Sequence, residues 1–233
     1  MRKAQLVPWI ALLVSIAWLV SVPALGQEPD IWGGSLGVTY WYPDWSNDQA
    51  DFDSSTSGLY GPSAFLHYGD FGIGIQYFTG SFDLSFPGAS SDISADRTDF
   101  DLMLSYRIAR HFHLSVLYKS IAFDWDQTYH VESEITGFGF GGGINTMVST
   151  HVLLYAYGFY MPSLDYEEDI EQSGSYSGDA DGFWLEAGLG YVVSDLPLLV
   201  KAGYRFQTID VTSGSAEWSE ETDGARIDIS YIF

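Results

Sequence analysis

The chain contains no cysteine, and only 9 of its 233 residues are Lys or Arg. Without cysteine there can be no disulfide framework and no thiolate metal site. The scarcity of bases excludes a protein that binds duplex nucleic acid, because such binding needs clustered positive charge against the phosphates. No stretch after residue 26 approaches 18 consecutive apolar residues, so no transmembrane helix is predicted there.

Acidic, aromatic and glycine residues are abundant instead. The chain has 31 Asp and Glu, 25 Gly and 17% aromatic residues, with a formal net charge of −22. Acidic disordered proteins are poor in aromatic residues, so this composition predicts a folded protein. Its excess negative charge must then be concentrated on particular surfaces.

Residues 1–26 have the features of a secretory signal peptide. Arg2 and Lys3 precede an apolar stretch, and Ala24-Leu25-Gly26 is a small-x-small cleavage site before Gln27. We therefore predict a cleaved leader over 1–26 and a single domain over 27–233. Removal of the leader leaves 7 bases against 31 acids, so the mature chain carries a charge of −24.

The rest of the sequence alternates with a period of two. In one segment, for example, Phe100, Leu102 and Leu104 alternate with Asp101 and Met103. Ten such segments of about ten residues follow one another, which is the length that crosses a bilayer as a tilted strand. The apolar faces are rich in aromatic residues, and the opposite faces carry Gly, Ser and charged residues.

The connections between these segments alternate in length. Short connections are predicted at 69–70, 109–111, 145–151 and 194–197. Long polar connections are predicted at 43–58, 83–96, 122–134, 162–181 and 210–224. This rhythm predicts an all-β, up-and-down antiparallel transmembrane β-barrel with short periplasmic turns and long acidic outer loops. Ten strands fit the segments best, and eight strands with longer loops are the alternative.

The final segment, Ile229-Ser230-Tyr231-Ile232-Phe233, ends in phenylalanine after alternating apolar residues. With the leader and the even strand number, it resembles the small Gram-negative outer-membrane barrels of the OmpA, OmpX and opacity-protein kind. The resemblance implies an outer-membrane location and recognition of Ile229, Tyr231 and Phe233 by the barrel assembly machinery. No motif identifies a subfamily, although ten strands are also the number in omptin proteases and Opc-type adhesins.

The few bases of the mature chain are predicted to face the barrel lumen beside carboxylates. Counting across hairpins places Asp101 opposite Lys119, Arg107 opposite His113, and Glu186 opposite Arg205, with Arg226 and Asp228 on the next strand. Pairing is expected because unpaired charges are costly in a low-dielectric interior. The network either closes a narrow barrel or lines a gated polar channel. Inward glycines leave space for a wet cavity or for bulky neighbours such as Trp184 and Phe78.

Two patterns were weighed as catalytic sites, and no catalysis is expected from either. Asp99 and Asp101, with His130 in a loop near Asp126, faintly match the carboxylate and His-Asp pairs of omptin proteases. His113-Leu114-Ser115 has the His-x-Ser spacing of outer-membrane lipid A deacylases, but both side chains are predicted to point inward.

A dense acidic run lies in one predicted outer loop and offers oxygen ligands that suit hard cations. Its members are Asp165, Glu167, Glu168, Asp169, Glu171, Asp179 and Asp181. No resident cofactor is expected, but bound Ca²⁺ or Mg²⁺ would bridge such loops to anionic lipopolysaccharide. The leading hypothesis is a non-enzymatic outer-membrane barrel with a structural or surface role, in contact with outer-membrane lipids and lipopolysaccharide. The alternatives are a narrow cation-preferring channel and, more remotely, a protease or lipid A-modifying enzyme.

Overall fold

The computed structural model describes residues 32–49, 52–86, 93–126 and 130–233. The predicted leader, residues 1–26, lies outside this range. The described residues form strands joined by turns, with no helix among them. None of them forms a helix that is long and apolar enough to cross a membrane.

Eleven strands follow one another along the chain. They are β1 (Trp32–Asn47), β2 (Asp53–Thr56), β3 (Leu59–Tyr68), β4 (Phe71–Ser85), β5 (Ile93–Ala109), β6 (Phe112–Asp126), β7 (His130–Met147), β8 (Val152–Ile170), β9 (Gly174–Val192), β10 (Leu198–Ser213) and β11 (Ala216–Ile232).

The strands close into one antiparallel barrel. Each main strand pairs with its neighbours in the chain, and β1 pairs with β11 to close the ring. Strands β2 and β3 both pair with β4, so they act as one barrel strand interrupted near Gly58. The predicted ten-stranded up-and-down barrel is therefore confirmed. At the seam, the backbones of Phe233 and Gly34 exchange hydrogen bonds of 2.9 and 3.0 Å.

The four short turns lie at one end of the barrel, together with the start of β1 and the end of β11. The turn at Gly69 and Asp70 is as tight as predicted, with Gly69 at a φ of +57° that suits glycine. By the usual orientation of such barrels, this is the periplasmic end.

The prediction of long loops at the other end is wrong. Most residues of those segments continue the strands, so that β8 and β9 each reach 19 residues and only 171–173 separate them. Strands β10 and β11 are joined by two residues. About ten residues cross a bilayer, so the longest strands project about 20 Å beyond it.

A reversal of the apolar face explains why the sequence pattern concealed these extensions. Near the periplasmic end the exposed face is apolar, as with Leu36 and Val38, which are 60% and 61% exposed. Beyond Tyr42, the same strand turns its large apolar side chain inward: Trp45 is only 3% exposed. A strand that leaves lipid for water needs a polar outer face and an apolar inner face. The period stays at two, but the apolar side chains change from the outer face to the inner face.

Strand β8 faces the opposite way from the prediction over its membrane portion. In the sequence, Tyr155, Tyr157 and Phe159 alternate with Leu154, Ala156 and Gly158, which predicts that the aromatic side chains face lipid; in the structure they point into the barrel. The outward residues, such as Leu154 and Tyr160, are also apolar, so alternation could not distinguish the two faces. The inward glycines give the aromatic rings room. A Cβ on Gly203 would come within 2.4 Å of the Tyr155 hydroxyl.

Candidate functional site: the barrel interior

The interior of the barrel has three zones along its axis. An apolar core fills the outer half, a charge network lies below it, and a cavity opens towards the periplasmic turns. We define the interior charge network by the following residues: Arg97, Asp99, Asp101, Lys119, Glu186, Arg205, Arg226 and Asp228.

Stacked aromatic rings dominate the outer core. Trp45 stacks on Phe123 with ring centroids 4.7 Å apart and packs edge-on against Phe82 at 5.5 Å. Aliphatic side chains such as Ile121 and Ile135 fill the spaces beside them and are almost fully buried. The outer half is therefore packed like the interior of a soluble protein rather than lined as an aqueous pore.

Two inward carboxylates stand at the outer mouth, above this core. The Trp218 indole N–H donates to Glu220 Oε1 at 3.3 Å. Burial, reinforced by the nearby Glu168 carboxylate, raises the pKa of Glu220 above its ordinary range. Burial and Glu168 likewise raise the pKa of the Tyr166 hydroxyl. Glu220 and Tyr166 therefore ionise less readily than a free carboxyl and a free phenol.

The interior charge network begins on β5 and β6. Lys119 Nζ lies 2.8 Å from Asp101 Oδ1 and 3.3 Å from Asp99 Oδ2. Arg97 forms a bidentate pair with Asp99, at 2.7 and 3.1 Å. Each of these four side chains is at most 4% exposed. Asp101 and Lys119 are cross-strand neighbours, as counting across the hairpin predicts.

The network also crosses the lumen. Arg205 Nη2 on β10 donates to Asp101 Oδ2 on β5 at 2.5 Å, although these strands lie on opposite sides of the barrel. The Arg205 guanidinium carbon lies 4.3 Å from the Trp184 ring centroid and 5.1 Å from that of Trp41. Aromatic faces of this kind stabilise a cation that is removed from water. The barrel is narrow enough for charged side chains to bridge it directly.

The expected ion pair between Glu186 and Arg205 does not form. They are neighbours in the register of β9 and β10. Glu186 Oε2 instead accepts from Arg226 Nη1 at 2.5 Å, while Arg205 binds Asp101. In a narrow barrel, long side chains can form ion pairs around and across the lumen. Strand register alone therefore does not determine which residues pair.

Asp228 is held mainly by hydroxyl groups. Thr39 donates to Asp228 Oδ2 at 2.7 Å, Ser63 donates to the same oxygen at 2.9 Å, and Ser230 donates to Oδ1 at 2.5 Å. Lys201 Nζ is farther away, at 3.4 Å from Oδ1. Lys201 is half-buried, whereas Asp228 is 2% exposed.

Arg107 and His113 lie outside the buried network, near the periplasmic end. They are cross-strand neighbours, as the count of residues predicts. However, the Arg107 guanidinium binds Asp70 at 2.9 Å and the Gly69 carbonyl at 3.1 Å, and both members of the ion pair are more than 40% exposed. His113 packs beside Tyr157, with ring centroids 5.3 Å apart.

Below the network lies a cavity of about 390 Å³. Trp184, Glu186 and Arg226 line its inner part, and Arg110 and His111 line its periplasmic opening. The cavity exists because the inward positions in this half are often small, in contrast to the aromatic outer half. Both expectations for the inward glycines apply: Gly203 makes room for the Tyr155 ring, and Gly72 and Gly74 line the cavity.

The outer face of the projecting strands is acidic. Asp96, Asp124, Glu132 and Asp169 are consecutive cross-strand partners on β5, β6, β7 and β8, and all four are exposed. The next rows pair carboxylates in the same way. These pairs are Glu134 with Glu167, Asp165 with Asp179, and Asp181 with Asp210.

The dense acidic run does not form a cation-binding loop. Asp165, Glu167 and Asp169 point outward from β8, whereas Glu168 points inward. Asp179 and Asp181 lie outward on the neighbouring β9, and Glu171 is in the turn. Their spacing is that of extended strands, so they form rows on a surface rather than the wrapped loop of a calcium site.

The catalytic patterns are separated in space. Asp99 and Asp101 are buried with their cations, whereas His130 is on the outer part of β7, within 3.0 Å of Glu132 and 3.4 Å of Asp124. His113 and Ser115 both face the barrel interior from β6, and Ser115 is 5% exposed.

Sequence reasoning missed several members of the interior. These members are Arg97, Thr39, Ser63 and Ser230, which the sequence pattern does not single out as a site. The parity of the strands would have found them, since Arg97 shares a face with Asp99 and Asp101. Ser230 shares a face with Asp228 for the same reason.

The comparisons with known proteins concern the fold. No protein-family model matches the chain, and no curated protein matches it. Among solved structures, it is similar to the outer-membrane protease OmpT of Escherichia coli, with a TM-score of 0.53 and 10% identity over 90% of this chain and 99% of that one. The chain has the fold of a Gram-negative outer-membrane β-barrel.

Two further solved structures match the chain with lower TM-scores. The attachment invasion locus protein Ail of Yersinia pestis gives a TM-score of 0.43 at 11% identity, covering 89% of this chain and all of that one. Neisserial surface protein A gives 0.41 at 13% identity, covering 86% and 99%. These likenesses concern architecture and assign no subfamily to this chain.

The exposed apolar surface of the barrel agrees with this fold. Its exposed apolar side chains form a belt at the periplasmic half, which on β11 consists of Ile227, Ile229, Tyr231 and Phe233, each about half exposed or more. The three C-terminal residues singled out from the sequence therefore face the surroundings of the barrel. Tyr231 and Phe233 also stack, with ring centroids 6.3 Å apart.

Proposed function

We propose that the protein is a closed, non-enzymatic outer-membrane barrel whose role lies at its surface. The observation that carries this proposal is the packed interior. The outer core around Trp45 and the buried network around Asp101 follow each other along the axis and fill the cross-section. A passive channel would need a continuous wet path past both zones. The closed reading therefore has more support than the cation-preferring channel.

The placement of the two catalytic patterns supports a non-enzymatic role. Asp99 and Asp101 are neutralised by Arg97, Lys119 and Arg205, so they are not free to activate a water. His130 is on another surface. Ser115 is buried inside the barrel, where a lipid substrate in the membrane does not reach it.

Conductance tests the closed barrel directly. The purified mature protein, inserted into planar bilayers in 1 M KCl, should give no steady conductance steps. The same preparation should migrate differently on a denaturing gel before and after boiling, which shows that the barrel is folded. Reproducible cation-selective steps from heat-modifiable protein would support the channel and overturn the closed reading.

We propose further that the acidic outer rows bind divalent cations diffusely and, through them, lipopolysaccharide. Like charges directly opposite one another on a sheet are destabilising. Every Lys and Arg of the described residues lies in the interior or at the periplasmic end, so no Lys or Arg among them offsets these rows. Mg²⁺ or Ca²⁺ would relieve the repulsion and bridge the surface to anionic lipid phosphates. We also propose that the barrel assembly machinery recognises the C-terminal strand that ends at Phe233.

Millimolar Ca²⁺ or Mg²⁺ should therefore slow proteolysis of the outer strands in detergent, relative to protein in chelator. Replacing one facing pair, Glu134→Gln with Glu167→Gln, should reduce this effect, because one repulsive pair is gone. Na⁺ at equal ionic strength is the control for screening. Equal digestion rates with calcium and with chelator would refute the role of divalent ions.

A further inference from the structure

We propose that the cavity in the periplasmic half of the barrel binds a small organic anion with an apolar body, such as an aromatic carboxylate. The site goes beyond the surface role proposed above, and it does not depend on it. Three properties of the cavity lead to this ligand: its shape, its apolar wall and its excess of positive charge.

The cavity extends from the periplasmic turns to the charge network, as its lining residues show. Trp184 lines its inner end, where the charge network and the outer core lie beyond it. Gly69, Asp70, Arg110 and His111 lie around the periplasmic opening. Its volume, about 390 Å³, is at the small end of the range for ligand pockets. It suits a molecule with one ring or a short chain.

Apolar side chains supply much of the wall. Phe65 and Met103 lie on adjoining strands beside Gly74, where a Cβ would be 3.2 Å from Met103 Cε and 3.5 Å from Phe65. Leu117 and Trp184 contribute from other sides. An apolar wall with a few polar groups is typical of sites that bury the body of a ligand and fix one charged end.

Lys201 is the group that would fix the charged end. It lines the cavity, its side chain is 24% exposed, and it forms an ion pair of 3.4 Å with Asp228, a carboxylate that also accepts three hydroxyl hydrogen bonds. The acids that line the inner cavity have partners of their own. Asp101 binds Lys119 and Arg205, and Glu186 binds Arg226.

The charge distribution of the whole barrel favours the same ligand. All seven Lys and Arg of the described residues are in the interior or at the periplasmic end, and Arg110 adds positive charge at the opening. The outer face is acidic and repels anions. An organic anion is therefore attracted only towards the end where the cavity opens.

Ligand-observed ¹⁹F NMR with the mature protein in detergent micelles tests the site. 4-Fluorobenzoate should show saturable line broadening that empty micelles do not produce. Lys201→Met should weaken its binding at least about fivefold, since a charge-assisted contact is lost. Neutral 4-fluorobenzamide should bind more weakly to the native protein and be unaffected by Lys201→Met, which separates the charge effect from a general change of the cavity.

A pair of tryptophan substitutions on adjacent residues checks the location. Ser105 lines the cavity, whereas Leu104 is 54% exposed on the lipid face. Ser105→Trp should abolish the saturable signal and Leu104→Trp should leave it intact. Gly74→Leu, which also fills the cavity, replaces Ser105→Trp if that variant is not heat-modifiable on a gel.

Three results would overturn the proposal. The first is broadening that rises linearly and equals that of empty micelles. The second is binding that survives both Lys201→Met and the cavity-filling variants. The third is displacement of 4-fluorobenzoate by phosphatidylglycerol in the micelle but not by hexanoate, which would assign the cavity to a lipid headgroup.

Discussion

Replacing Asp101 by Asn should destabilise the barrel by about 3–5 kcal/mol. Asp101 binds Lys119 through one oxygen and Arg205 through the other, and it is only 3% exposed. The amide keeps the shape but removes the charge, so Arg205 loses its only carboxylate partner among the described residues. Urea unfolding in detergent micelles, followed by tryptophan fluorescence, measures the loss.

Asp70→Asn is the matched control for this variant. Asp70 also pairs with an arginine, Arg107, but both partners are more than 40% exposed, so its removal should cost at most about 1 kcal/mol. Adding Arg205→Met to Asp101→Asn should restore part of the stability, because it removes the stranded charge. If Asp101→Asn and Asp70→Asn destabilise equally, the buried network does not hold the barrel together as described.

The sequence predicted the barrel well because strand alternation and turn spacing are local signals. The Gly69-Asp70 turn and the pair of Asp101 with Lys119 follow from counting residues along hairpins. Such counting fixes neighbours in register. It cannot find Arg205 beside Asp101, because that contact crosses the lumen between strands far apart in the chain.

The sequence pattern predicts loops instead of strands in the outer half for a different reason. A strand in lipid and a strand in water share a period of two but expose opposite faces. Reading apolar residues as outward is right at Val38 and wrong at Trp45, on the same strand. Where both faces are apolar, as around Tyr155, the pattern does not determine the face at all.

Trp45→Ala should cost about 3–5 kcal/mol of stability, the usual penalty for truncating a large buried aromatic side chain. Trp45 is 3% exposed and contacts Phe52, Phe82 and Phe123 through its ring. No lipid surrounds this part of the barrel, so its stability rests on the apolar core inside it. Tyr176→Ala is the control, since Tyr176 is 47% exposed on the same projecting region and should change stability by about 0.5 kcal/mol or less.

In the Trp45→Ala variant, the outer half of the barrel should also unfold at lower urea concentration than the membrane-embedded half. Because the membrane belt and the interior charge network do not depend on Trp45, the variant should first lose its outer half. Brief proteolysis at low urea should then cut Trp45→Ala in the projecting strands while the membrane-embedded part stays protected, whereas Tyr176→Ala should resist like the native protein. A single global transition in Trp45→Ala, with no protected fragment, would mean that the outer core and the membrane portion unfold as one unit.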